Sequence, residues 1–83
     1  MKTKYKFIRF VECGDHHWVC HNNRTNDILG YTEYCKQWRC YTFHPDDLTM
    51  FSPDCLADIQ HFMEQLMKTN TGGCHSNVNT EGR

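Results

Sequence analysis

Eighty-three residues make one small domain with a thin core. Nine Lys and Arg stand against ten Asp and Glu, so the basic excess that displaces counterions from nucleic acid is missing overall. No apolar run is long enough to span a bilayer, and MKTKYKFIRF has a basic start without an apolar segment or a small-residue cleavage site, so it does not read as a signal peptide.

Lys4–Val11, KYKFIRFV, is rich in aromatic and β-branched residues and predicts a first strand. Lys2, Lys4 and Lys6 fit the charges that keep an edge strand from pairing with a neighbour, or a weak anion contact. Cys13-Gly14-Asp15 predicts a turn. His17–Asn22 predicts a second strand, with Trp18 and Cys20 on one face and His17, Val19 and His21 on the other. Asn23–Asp27 has turn chemistry. Ile28–Tyr34 predicts a third strand, in which Gly30 marks a bulge or a close approach by another group. After Cys35-Lys36-Gln37, the stretch Trp38–His44 predicts a fourth strand that Pro45 ends. Thr49-Met50-Phe51 reads as a brief extended piece.

Ser52–Lys68 predicts a helix. Cys55, Leu56, Ile59, Phe62, Met63, Leu66 and Met67 fall at helical spacing and cover roughly 140° of the wheel. Ser52 is a good N-cap, and Pro53 suits the first helical position. Asp54 and Asp58 lie near the positive end of the helix dipole and Lys68 near the negative end. Asn70-Thr71-Gly72-Gly73 stops the helix. Short connections predict sequential hairpins, so the expected fold is α+β: a four-stranded antiparallel meander with one C-terminal helix packed on one face. The expected domain spans residues 4–69, and 70–83 reads as a flexible polar tail.

Six Cys and six His are many for this length. Without a leader, the expected setting is a reducing cytoplasm, where thiols stay free or bind metal. A meander puts its first and third turns at one end of the sheet, where the helix also finishes. Cys13, His16, Cys35 and Cys74 are therefore a candidate zinc set, although no paired C-x-x-C is present. The alternative is that Cys20, Cys40 and Cys55 are small buried hydrophobes and the turn thiols have no role. His16, His17 and His21 read as solvated strand-edge and turn residues, His61 as solvated on the helix, and His44 receives no role.

No phosphate loop, H-E-x-x-H helix or G-x-S-x-G elbow is present, and catalysis is not expected. The strands carry Tyr5, Phe7, Trp18, Tyr31, Tyr34, Trp38, Tyr41 and Phe43, more than one helix covers if they split between faces. Tyr31, Trp38, Arg39 and Tyr41 are the candidate protein-binding residues, because Tyr, Trp and Arg dominate interface hot spots. Two other readings stay open. The aromatics read either as a stacking platform for single-stranded nucleic acid, with Arg9, Arg24 and Arg39 near its backbone, or as an enlargement of a thin core. The chain is expected as a monomer or a homodimer paired through faces or edge strands.

Ile28-Leu29-Gly30, then Trp38-Arg39, Tyr41, Phe43 and Pro45, then Phe51-Ser52 and Cys55-Leu56-Ala57-Asp58-Ile59 with Phe62 and Leu66, make a running pattern. From about Trp18 to Met67 it resembles small bacteriophage and prophage proteins. The resemblance brings no biochemical activity with it, and its motif positions are mainly architectural. It implies a short accessory protein that binds and blocks a host protein, a component of antiviral defence included.

Overall fold

A computed structural model describes residues 1–69. The chain runs β1 (Ile8–Glu12), β2 (His17–Asn22), β3 (Ile28–Cys35), β4 (Cys40–Pro45) and α1 (Pro53–Thr69). The strands pair in sequence order, each antiparallel to the next, and the helix lies on one face. The α+β meander expected from the pattern is the fold observed. The tail and Cys74 lie outside the described residues.

Register decides which side chains the helix covers. Phe10 pairs with Cys20, Cys20 with Gly30, and Gly30 with Pro45, so these four share a row. The next row on that face is Glu12, Trp18, Thr32 and Phe43. Ile59, Phe62 and Leu66 fill the space above, and Phe62 lies flat on Phe10 with ring centroids 3.9 Å apart and planes 5° apart. The buried stripe of the helix is narrower than its apolar wheel. Leu56 is 53% exposed and borders a groove with Met63 and Met67. The cap forms as expected: Cys55 N–H donates to the Ser52 hydroxyl at 3.2 Å.

Gly30 sits where the chain needs no side chain. A Cβ there would stand 2.6 Å from the His44 carbonyl oxygen and 2.8 Å from the Phe43 ring. The β2–β3 register shifts beside it, between Cys20 and His21, so Leu29 is the extra residue of a bulge.

The first strand is shorter than expected. Tyr5 N–H donates to the Ile8 carbonyl and Phe10 N–H to the Thr3 carbonyl, both at 2.8 Å, so the N-terminus folds back along β1. Asn23 holds that bend by donating to the Tyr5 carbonyl at 2.7 Å, and its own N–H donates to Phe7 at 2.9 Å. Tyr5 thereby enters the core. Its hydroxyl meets His61 Nδ1 at 2.8 Å, so His61 is not merely solvated.

Both sheet edges are blunted. The fold-back takes the outer side of β1, with Lys4 bridged to Arg9. On β4 the outward donors fall on alternate residues. Tyr41 N–H is capped by Met67 Sδ at 3.4 Å, and Pro45 has no N–H. Of the outward donors on β4 this leaves the Phe43 N–H, which lies between those two in the alternation.

Candidate functional site

The same register sorts the other face. Val11, Val19, Tyr31 and His44 make one row across all four strands, and His17, Glu33 and Thr42 make the next across three. These strands alternate in and out, so the helix-facing partners of Tyr31, Thr42 and His44 are the buried Thr32 and Tyr41 and the half-buried Phe43. No element of the described residues packs on the outer row.

Tyr31 is the centre of this face. His17 stacks on one side of its ring, centroids 5.0 Å apart and planes 8° apart. His44 stacks on the other side at 4.7 Å and 11°. Both faces of the phenol ring are therefore taken, and its edge is what remains for a partner. Glu33 stands between the imidazoles: His17 Nδ1 is 3.8 Å from Oε1 and His44 Nε2 is 3.7 Å from Oε2. These contacts become ion pairs whenever an imidazole is protonated. The Thr42 hydroxyl donates to the Glu33 carbonyl at 3.3 Å and meets His44 Nε2 at 2.9 Å.

Of the four residues expected to bind a partner, the structure puts Tyr31 alone on this face. Tyr41 is 6% exposed and belongs to the core, because its position alternates with Cys40 and Thr42. Trp38 and Arg39 lie before β4, in the β3–β4 turn. Arg39 has φ 58°, a turn conformation that does not continue a strand, and Trp38 is 69% exposed. Of the other aromatics expected to divide between faces, Tyr5, Trp18, Tyr34 and Phe43 belong to or pack against the core, while Phe7 is exposed before β1. His17 and His44 replace them. The signal for both was the two-residue alternation that also places Tyr31, but imidazoles on a strand read as solvent-facing filler.

The thiols divide by burial. Burial pushes the Cys20 thiol up to about 12, with Cys55 adding to the shift, so Cys20 is an inert core residue. Burial also raises the phenols of Tyr41 and Tyr5. Tyr34 and then Glu12 add to the first, and Asp58 to the second. Cys13 is exposed in the first turn, and Cys35 pairs in register with Cys40 at the far end of the β3–β4 hairpin. His16 Nδ1 is 2.9 Å from the Tyr41 hydroxyl. Among the described residues no three His, Cys, Asp or Glu side chains are placed to hold a metal, so Cys13, His16 and Cys35 do not make one by themselves. No described helix is long and apolar enough to cross a membrane.

No protein-family model, curated protein or solved structure matches the chain.

Proposed function

We propose that the chain is a non-catalytic binding protein that docks on another protein through the open face of its sheet. The observation that carries this reading is the His17–Tyr31–His44 stack at the centre of a face no described element covers. Tyrosine is among the residues that dominate interface energies. Here its ring is held between two others before any partner arrives, so little rotamer freedom is lost on docking. Val11 and Val19 extend the apolar part of the row, and Glu33, Thr42 and His21 give it a polar border. The blunted edges favour docking by this face over addition of a strand. Together with the phage resemblance, this supports a host protein in the host cytoplasm as the partner, blocked by occupation of its surface, an antiviral defence component being the kind of target the resemblance implies.

A single-stranded nucleic acid is the weaker occupant. A base stacks on a free ring face, and both faces of Tyr31 are occupied.

The test is retention of host proteins from infected-cell lysate on the immobilised chain, wild type against Tyr31→Ala. The expected result is a stoichiometric protein partner whose retention falls roughly tenfold in the variant, in line with loss of a hot-spot tyrosine. Equal retention by the two would reject the face.

A further inference from the structure

The loop between β4 and α1 exposes a leucine from a conformation leucine rarely adopts. Thr49 closes a turn on Asp46, its N–H reaching the Asp46 carbonyl at 3.3 Å and its hydroxyl reaching the same oxygen at 2.7 Å. Leu48 is the third residue of that turn, with φ 64°. Gly or Asn ordinarily fills such a place, because a bulky side chain at positive φ crowds the backbone. The strained leucine is then 100% exposed, and Met50 two residues on is 92% exposed. Neither contributes burial to the core.

The β2–β3 connection and the start of β3 lie beside them, with Asp46 N–H donating to the Leu29 carbonyl of β3 at 2.9 Å. Between the two loops runs an open cleft of about 690 Å³. Its apolar lining is Ile28, Leu29, Leu48 and Met50, and Asp27, Asp46 and Asp47 supply its charge. Among the described residues no Lys or Arg pairs with these carboxylates. Arg9 donates instead to the side-chain oxygens of Asn26 and Asn23, at 2.6 and 3.4 Å. Its walls adjoin in sequence the strands that carry Tyr31 and His44.

We propose that this cleft takes a segment of the protein partner in which apolar side chains are interspersed with Lys or Arg. The inference rests on the reading of the chain as a protein-binding module and names the chemistry of what it binds. The apolar walls give a side chain somewhere to leave water, and the carboxylates select for cations beside it. The same carboxylates repel an anionic membrane surface.

The experiment titrates the full chain into short fluorescent peptides and follows anisotropy. One peptide carries leucines among lysines, a second leucines among glutamates, and a third glutamines among lysines. Vesicles of phosphatidylglycerol form a separate arm. The leucine–lysine peptide is expected to bind, the other two to bind at least roughly tenfold more weakly, and the vesicles not to bind. Leu48→Asn keeps the turn, since Asn tolerates positive φ. It is expected to melt no lower than wild type and to lose roughly tenfold in peptide affinity. Tyr31→Ala is expected to bind the peptide as wild type does. Unchanged affinity in Leu48→Asn, equal binding of the glutamine–lysine peptide, or capture by the vesicles would each overturn the proposal. Loss of peptide binding in Tyr31→Ala would move the segment onto the sheet and overturn it too. Because the open face is read separately, by Tyr31-dependent retention of a host protein, failure of the cleft leaves that result standing.

Discussion

Tyr31 stacks on His44 across the β3–β4 pair, ring centroids 4.7 Å apart and planes 11° apart. The two are direct cross-strand partners, so the backbone ladder brings the rings together. Such a stack contributes about 0.5–1.5 kcal/mol. Tyr31→Leu is therefore expected to lower stability by only about 1–2 kcal/mol, counting the His17 contact, while changing the surface a partner sees. Proton NMR checks the stack directly. The ring-proton resonances of His44 and His17 should lose their ring-current shift in Tyr31→Leu, and unchanged resonances would mean that the rings do not stack in solution.

Phe62 is fully buried on the helix and touches both strands of the sheet's first hairpin. It lies flat on Phe10 and meets Trp18 edge-on at 5.2 Å. Removing its ring leaves a cavity between the helix and the sheet, beside Phe10 and Trp18. Phe62→Ala is expected to cost about 3–5 kcal/mol, which denaturant titration would read as a lower midpoint. A loss below about 1 kcal/mol would contradict this packing.

Thr32 makes the opposite prediction. Its side chain is fully buried between the Trp18 and Phe43 positions, and its hydroxyl has no hydrogen-bond partner. A buried hydroxyl without a partner carries its desolvation cost uncompensated. Thr32→Val keeps the shape and removes that group, so it is expected to raise stability by about 1–2 kcal/mol. A fall in melting temperature would indicate that the hydroxyl is satisfied in solution.

Cys20 links stability to pH. Its thiol stands at about 12 in the folded protein against an ordinary 9.0, chiefly because of burial. A group raised in this way stabilises the fold fully below its unfolded value, and that contribution is lost as pH climbs toward the folded one. The melting temperature should therefore fall between pH 9.0 and about 12, and less steeply in Cys20→Ala. The raised phenols of Tyr5 and Tyr41 act with the same sign above their ordinary 10.0, so part of the slope remains in that variant. A thiol reagent at neutral pH is expected to label exposed Cys13 at once and Cys20 only on unfolding. Rapid labelling of both would contradict the burial of Cys20.

The sheet and helix were legible because their signals are local. Alternation in HWVCHN and ILGYTEY, the Ser52-Pro53 cap and the spacing from Cys55 to Met67 each act within a few residues. The site was legible only in part. Tyr31 lies on the open face, but Tyr41 sits one alternation step from Thr42, and sequence alone does not say which step faces the helix. Trp38 and Arg39 look like strand residues by composition, yet the hairpin turn takes them. The fold-back that buries Tyr5 depends on Asn23, eighteen residues away, and no local pattern reports a bond of that range. The His17–Tyr31–His44 stack needs three strands in register, so it exists only at the level of the assembled sheet.

The central claim is that the open face is the interface. The direct measurement is photo-crosslinking in host lysate, with a photoreactive residue at Val19 on that face or at Gln60 on the exposed helix side, competed by unlabelled protein. The account predicts one host protein crosslinked from position 19 and not from position 60. Excess wild type should displace that crosslink, and excess Tyr31→Ala should not. Equal crosslinking from both positions, or equal competition by both proteins, would contradict it.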